Sequence, residues 1–192
     1  WVEEGAALAT RPPLDLRVNT LQANRDKVLD ALGQTGARPA RIGPQGIRIP
    51  PIEGDGRHPN VQVEPAFQKG WFEVQDEGSQ IAAVLAGAEP GMQVLDFCAG
   101  AGGKTLALSA AMDNRGQLFA HDAEKARLAP IFDRMRRSEN RNVQIVSKPG
   151  ELAPLTGRMD IVLVDAPCTG SGTWRRRPDA KWRLSQKQLD AR

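Results

Sequence analysis

Between Gln93 and Val164 the chain repeats one pattern: a short apolar run, a turn, then a segment with helical spacing. The runs Gln93–Phe97, Gln117–Ala120, Val143–Val146 and Ile161–Val164 read as strands. Lys104–Met112 and Glu124–Ser138 read as helices. Near-continuous apolar runs suit strands covered on both faces, which is the situation in a parallel sheet. Alternation at this length builds βαβ units, so the expected class is α/β with a Rossmann-like, mostly parallel sheet. In such sheets ligands gather outside the carboxyl ends of the strands. The loops after Phe97 and after Val164 are therefore where chemistry is expected.

The residues before this repeat have another character. Leu14-Asp-Leu-Arg-Val-Asn-Thr-Leu21 alternates apolar and polar residues, which suits a strand. Arg25–Leu32 has helical spacing and Gly33 ends it. Gly43 to Asn60 is rich in Pro and Gly, including Ile49-Pro-Pro-Ile52 and Gly54-Asp-Gly56, and reads as loop. A boundary is expected near Gly70. It divides the chain into a small α+β domain over residues 1–70 and the α/β domain over residues 71–192. A helix over Gln80–Ala86 opens the second domain, with Asp76, Glu77 or Ser79 as its cap and Pro90-Gly91 as its end.

No apolar run approaches the roughly 20 residues of a membrane span. The start, Trp1-Val-Glu-Glu, is acidic, has no apolar stretch of a secretory signal and no initiator Met. A piece of a longer cytoplasmic protein is the expectation. Cys98 and Cys168, the only cysteines, have no zinc spacing and form no disulfide framework, so no metal is expected. Net charge is +3, unevenly spread. Ser171–Arg192 carries seven Lys/Arg and two Asp, a local +5, and the rest of the chain is −2. That suggests a polyanionic partner near residue 170, although a solvated basic helix start would look the same.

Val94-Leu-Asp-Phe-Cys-Ala-Gly-Ala-Gly-Gly-Lys-Thr105 is a strand, a glycine turn and a helix start. A Walker phosphate loop would need Gly at position 98, which is Cys. The dinucleotide fingerprint would need Gly at position 105, which is Thr. A nucleoside without a pyrophosphate fits better. Asp96 ends the first strand of the repeat, and Asp122, 22 residues past Gly100, ends the second. A carboxylate there accepts hydrogen bonds from ribose hydroxyls. This is the pattern of an S-adenosylmethionine site, set against a plain structural turn with an exposed Asp.

The second loop, Asp165-Ala-Pro-Cys168, holds a carboxylate and a thiol three residues apart. Proline fixes its backbone and removes a donor. Such a loop suits covalent chemistry on a planar electrophile; by itself it equally suits a strand–turn junction with an incidental thiol. An amino-group methyltransferase would carry Asn/Asp-Pro-Pro-Tyr/Phe there, and Ala166-Pro-Cys168 departs from that.

Taken in order, these motifs resemble the RNA cytosine-5 methyltransferases of the Sun/NOL1/NOP2 family, the bacterial 16S rRNA branch in particular. The matching segments are Leu16-Arg-Val-Asn-Thr-Leu21, Val74-Gln-Asp-Glu-Gly-Ser-Gln80, Asp96 to Thr105, Asp122 with Arg127-Leu128, Asp165 to Cys168, and Arg175-Arg-Arg-Pro-Asp-Ala-Lys-Trp182. The resemblance implies a class I S-adenosylmethionine-dependent methyltransferase fold preceded by a small α+β RNA-contacting domain. It implies cofactor binding by Cys98, Ala99, Gly100, Ala101, Gly102, Gly103, Lys104, Asp122, Arg127 and Asp165. Asp165 would lie between cofactor and base and activate the base, and Cys168 would assist product release. RNA contact is expected from Arg175, Arg176, Arg177, Lys181 and Trp182, with rRNA as substrate and tRNA as the alternative.

The chemistry suits those residues. C5 of cytosine is a poor nucleophile until a thiol adds at C6 and makes C5 an enamine carbon. A carboxylate at N3 favours that charge development. A flipped-out base is needed, which single-stranded or loop RNA supplies most cheaply.

Three departures stand out. Gly100-Ala101 replaces the family's usual Ala-Pro. The adenine-edge Asp expected after the third strand of the repeat is absent from Ser147-Lys-Pro-Gly-Glu151, where Glu151 is the available acid. The family's attacking cysteine, in a Thr-Cys-Ser context on a later strand, is expected beyond residue 192. The sheet is expected to lack its last strands and this stretch alone to be inactive. A non-catalytic RNA-binding protein that kept the fold is the alternative from another class.

Overall fold

The computed structural model describes residues 2–52, 54 and 56–190; Asp55 of the Gly54–Gly56 turn and Arg192 of the basic tail lie outside the described residues. The chain begins with α1 (Val2–Ala9), β1 (Leu14–Val18), α2 (Arg25–Ala31), β2 (Arg38–Pro39), β3 (Gly46–Ile49), α3 (Pro65–Gln68) and β4 (Phe72–Val74). It continues with α4 (Glu77–Leu85), β5 (Gln93–Asp96), α5 (Gly103–Ala111), β6 (Gln117–His121), α6 (Ile131–Ser138), β7 (Val143–Val146) and β8 (Ile161–Leu163). The short helices α7 (Ala180–Arg183) and α8 (Gln186–Asp190) close the described chain. Among the described residues no helix is long and apolar enough to cross a membrane.

Two four-stranded sheets result among the described residues. The first is antiparallel in the order β2-β3-β1-β4, and the second is parallel in the order β7-β6-β5-β8. The parallel sheet follows the expected strands to within one residue at their ends. Its order reverses at β5: the chain steps from β5 to β6 on one side and reaches β8 on the other. That is a topological switch point, and it opens a crevice at the strand ends. Val94, Leu108, Met112 and Leu118 form the core on one face of this sheet, and Ala120, Leu128 and Ile131 form a second cluster. The β8 edge is open, with Val162 and Val164 more than half exposed.

The first sheet departs from expectation in two places. Gly43–Asn60, read as loop, contains β3, which pairs with β1 along its whole length. Its signal is short, Ile47 and Ile49 in alternation between Pro and Gly residues, and it acquires meaning only when β1 lies beside it. The strand β4 lies past the boundary expected near Gly70, yet pairs with β1 through Leu16–Val74 and Val18–Phe72. The change of sheet therefore falls between Val74 and Gln93. One expected helix is also divided. Glu124–Ser138 becomes a 3-10 turn over Lys125–Leu128 followed by α6, with Pro130 at the α6 N-cap. Proline lacks the N–H that a continuous helix would need there. Asp76 caps α4, its Oδ1 accepting from the Gly78 amide at 2.9 Å.

The two faces of β1 explain how the sheets meet. Leu16 and Val18 point into a core with Val28, Leu32, Ile47, Ile49, Phe67 and Phe72. Asp15 and Arg17 point the other way, and both are buried. Across the strands Asp15 stands opposite Arg48, and Arg17 opposite Glu73. Arg48 Nε donates to Asp15 at 2.7 Å, and its Nη2 donates to both Asp15 and Glu77 at 3.0 Å. The Gly43 and Ile42 amides, together with Arg48, hold the Glu77 carboxyl below its usual range. Burial lowers the Arg17 pKa to about 10, and Gln75 accepts from its Nε at 2.7 Å. Asn19 bridges the units, its Nδ2 donating to the Gly70 carbonyl at 2.9 Å and the Ser138 carbonyl at 2.8 Å.

Removing a partner from a buried pair leaves an uncompensated charge, which costs several kcal/mol when both groups are dry. Arg48 is 30% exposed and keeps Glu77. Asp15→Ala is therefore expected to lower stability by about 2 kcal/mol in urea unfolding. A loss below about 0.5 kcal/mol would show that this contact does not hold the joint.

Candidate cofactor and catalytic site

The two loops expected to carry chemistry meet at the switch point. The turn after β5 is pinned to the end of β6 and the residue that follows it: the Ala99 amide donates to the His121 carbonyl at 2.8 Å, and the Gly100 amide to Asp122 Oδ2 at 2.9 Å. Gly100 and Gly102 both have positive φ. At Gly102 a Cβ would lie 2.4 Å from Ile131 Cγ1, so glycine is required by packing as well as by backbone conformation. Gly102 then serves as the N-cap position of α5.

Asp122 is 3% exposed. Its Oδ1 accepts from the Glu124 amide at 2.9 Å, and Arg127 Nη1 stands 3.4 Å from its Oδ2. A carboxylate has about four acceptor positions. The Gly100 and Glu124 amides take two of them. A ribose diol can be accommodated by the remaining position together with the one Arg127 approaches, since the Arg127 side chain is 45% exposed and free to swing.

Asp96 lies beneath the glycine turn and is 1% exposed. Thr105 Oγ1 donates to its Oδ2 at 2.7 Å, and its Oδ1 has no hydrogen-bond partner among the described residues. Burial pushes the Asp96 pKa from 3.8 up to about 6, against the opposing pull of Thr105 and Lys104. A buried carboxylate oxygen unpartnered among the described residues, a turn with glycine at positions 100, 102 and 103, and an acceptor at the end of the next strand fit a nucleoside carrying an amino-acid moiety.

Lys104 Nζ lies 2.6 Å from Asp165 Oδ2, joining the glycine turn to the loop after β8. Asp165 is thus brought to the site, with its side chain half exposed. Cys98 is half-buried, and burial, followed by the charges of Asp122 and Asp96, raises its thiol pKa. It therefore stays a neutral thiol and makes a poor nucleophile. Cys168 is exposed on the loop three residues past Asp165, and its thiol makes no hydrogen bond among the described residues.

The basic segment is used unevenly. Arg175 donates to the carbonyls of Thr10 at 3.1 Å and Arg11 at 2.9 Å, and Arg176 pairs with Asp76 and Asp15. These two arginines dock the segment against the first sheet. The Arg177 guanidinium makes no hydrogen bond among the described residues, Lys181 lies over the Trp182 ring, and Trp182 is 81% exposed. Glu151 accepts from the Ser147 and Lys148 amides, closing the turn after β7.

Several site groups escaped the sequence reading. His121 stacks near Phe97 with ring centroids 5.2 Å apart and bonds the Val146 carbonyl through Nδ1. Arg134 donates to the Ala101 carbonyl of the glycine turn at 2.7 Å. Arg134 and Arg137, three residues apart on a charged helix, look in sequence like an ordinary solvated face.

Comparison with known proteins settles the family. Residues 82–191 match the family described as "16S rRNA methyltransferase RsmB/F". The chain belongs to this family. Residues 1–51 match "Methyltr_RsmF/B-like, ferredoxin-like domain". The probable ribosomal RNA small subunit methyltransferase B of Synechocystis sp. is 32% identical over 178 residues, covering 90% of this chain and 39% of that protein. The ribosomal RNA small subunit methyltransferase B of Yersinia pseudotuberculosis is 35% identical over 190 residues, covering 95% and 42%. This RsmB/F-family chain thus spans about two fifths of the length of the curated relatives it matches. Among solved structures, PH0851 superposes with a TM-score of 0.85 at 31% identity, covering 97% of this chain and 42% of that one. NSun6 from Pyrococcus horikoshii, solved with SFG, superposes with a TM-score of 0.80 at 21% identity over 98% of this chain and 72% of that one, a likeness of fold.

The raised Asp96 pKa has a signed consequence. Between pH 3.8 and about 6 the unfolded carboxyl is ionised while the folded one still holds its proton. The folded state binds more protons there, so this group's contribution to stability falls as pH rises, by up to about 3 kcal/mol across the window. Asp96→Asn lacks that loss. Its stability relative to the parent protein is expected to improve by about that amount from about pH 4 to about pH 6 in urea titrations. A pH-independent difference would mean that Asp96 titrates normally.

Proposed function

We propose that this chain is the cofactor-binding part of an S-adenosylmethionine-dependent methyltransferase that makes 5-methylcytosine in RNA, with 16S rRNA as the substrate. The observation that carries the reading is the Lys104–Asp165 ion pair. It fastens the carboxylate of the Asp-Ala-Pro-Cys loop to the glycine turn at the switch point, where both cofactor and base must come. Cys98 to Lys104, Asp122 and Arg127 hold the cofactor, which when bound supplies an electrophilic methyl group.

The remaining roles belong to residues of this chain and of the longer protein. Asp165, oriented by Lys104, hydrogen-bonds the N3 edge of the flipped cytosine and favours charge development in the ring. The thiol that adds at C6 lies beyond residue 192. Release requires loss of the C5 proton and cleavage of the C6–S bond, which restores the C5–C6 double bond; Cys168 assists that step. Arg177, Lys181 and Trp182 are presented to solvent and meet RNA phosphates and bases, while Arg175 and Arg176 hold the segment that carries them. The small domain on this reading extends past the boundary expected near Gly70 to Val74, and the pairing of β4 with β1 supports that extension. A reducing cytoplasm, where both cysteines remain thiols, suits this chemistry.

In the full-length protein, Cys168→Ala is expected to accumulate a covalent RNA adduct that survives denaturing electrophoresis. A variant that turns over freely without an adduct would remove Cys168 from product release. Residues 1–192 alone are expected to yield no methylated nucleoside. Detection of 5-methylcytosine in RNA treated with them, by mass spectrometry, would place the attacking thiol within this stretch.

A further inference from the structure

The outer bend of the glycine turn lies away from the bonds that pin its base. Ala99 and Gly100 are bonded to His121 and Asp122, but Ala101 at the outer bend is exposed. Glycines on either side of it add conformational freedom. The contact that meets the outer bend is Arg134 Nη1, donating to the Ala101 carbonyl at 2.7 Å. The same guanidinium is fixed from behind: its Nε and Nη2 both donate to Glu73 Oε2, at 3.2 Å and 3.0 Å. Glu73 belongs to β4 of the first sheet and is 3% exposed. Its other oxygen is taken by Arg137, whose guanidinium lies 4.0 Å from the centroid of the Phe67 ring. The Arg134 fork therefore cannot rotate away from Ala101 without leaving a buried carboxylate short of donors.

We infer that Arg134 is a positioning residue for the cofactor turn, and that Glu73 of the first sheet sets its place. The inference rests on the reading of that turn as the S-adenosylmethionine site. A strand of one sheet thereby pre-shapes the binding loop of the other, and cofactor affinity depends on the first sheet although that sheet need not touch the cofactor. Pre-ordering a loop improves affinity by removing an ordering cost from the binding step.

The test uses the full-length protein, with S-adenosylhomocysteine as the titrated ligand in calorimetry and hydrogen exchange read on the ligand-free protein. Arg134→Ala is expected to weaken binding about tenfold and to speed exchange at the amides of residues 99–104. Glu73→Gln is expected to act in the same direction, and the double variant to be weaker by less than the product of the two effects. Asn19→Ala, which loosens the joint without touching the turn, is expected to lower the melting temperature but leave affinity within about twofold. Should Arg134→Ala fail to fold, Arg134→Lys decides: it keeps the charge toward Glu73, loses the bond to Ala101, and must weaken binding. Parent-like affinity and exchange in the Arg134 variants would overturn the inference. So would an Asn19→Ala loss as large as theirs, because Arg134 would then be only part of the joint. If the unsubstituted protein itself does not bind, the cofactor reading fails instead.

Discussion

A guanidinium or carboxylate taken out of water must find an opposite charge or a strong hydrogen-bond partner, and the joint between the two sheets is built on that requirement. Asp15, Arg17, Glu73 and Glu77 are all less than a tenth exposed. Each finds its partners across strands or across the joint: Arg48 for Asp15 and Glu77, Gln75 for Arg17, Arg134 and Arg137 for Glu73. An apolar joint can slide, because dispersion has little direction. A joint of paired charges has one register, since shifting it by one residue strands several buried ions at once. The first sheet is therefore placed against the parallel sheet by electrostatics, and the basic segment is then tied to the same surface through Arg176 and Asp15.

That placement matters because the chemistry lies where elements meet. The switch point between β5 and β8 brings two loops together by topology alone. Their closeness is tuned by side chains: Lys104 draws in Asp165, Asp122 grips Gly100, and Arg134 meets the outer bend at Ala101. The Asp96 carboxylate, buried beneath, shows the electrostatic strain of such a site. Its environment disfavours the charge it carries, and one oxygen is left without a partner among the described residues.

How much of this could be read beforehand follows the range of each signal. The parallel strands were legible because each is a local apolar run bounded by turn residues. The glycine turn was legible because Gly100 and Gly102 occupy conformations that other residues avoid. Asp122 was legible because its distance from the turn is a property of one βαβ unit. By contrast, β3 was lost in a Pro/Gly-rich stretch, since Ile47 and Ile49 become a strand only with β1 alongside. Pro130 carried a local signal that should have split the helix before α6. Arg134, Glu73 and His121 gave no local sign of their roles, because their side-chain partners lie far off in sequence, up to 64 positions for Glu73 and Arg137.

By itself, then, the order of residues determined the sheet type, the turn chemistry and the presence of a carboxylate and a thiol on the loop after β8. These depend on interactions within a few residues or within one strand–turn–helix unit. Only the tertiary structure decided which polar residues face water. The alternation in Leu14–Val18 promises one wet face, yet Asp15 and Arg17 are buried along with Leu16 and Val18. Arg175 and Arg176 read like solvated charges and instead close onto the protein. The reason is that a charge's partner is chosen by distance in space, and sequence spacing does not encode that distance until both sheets are in place.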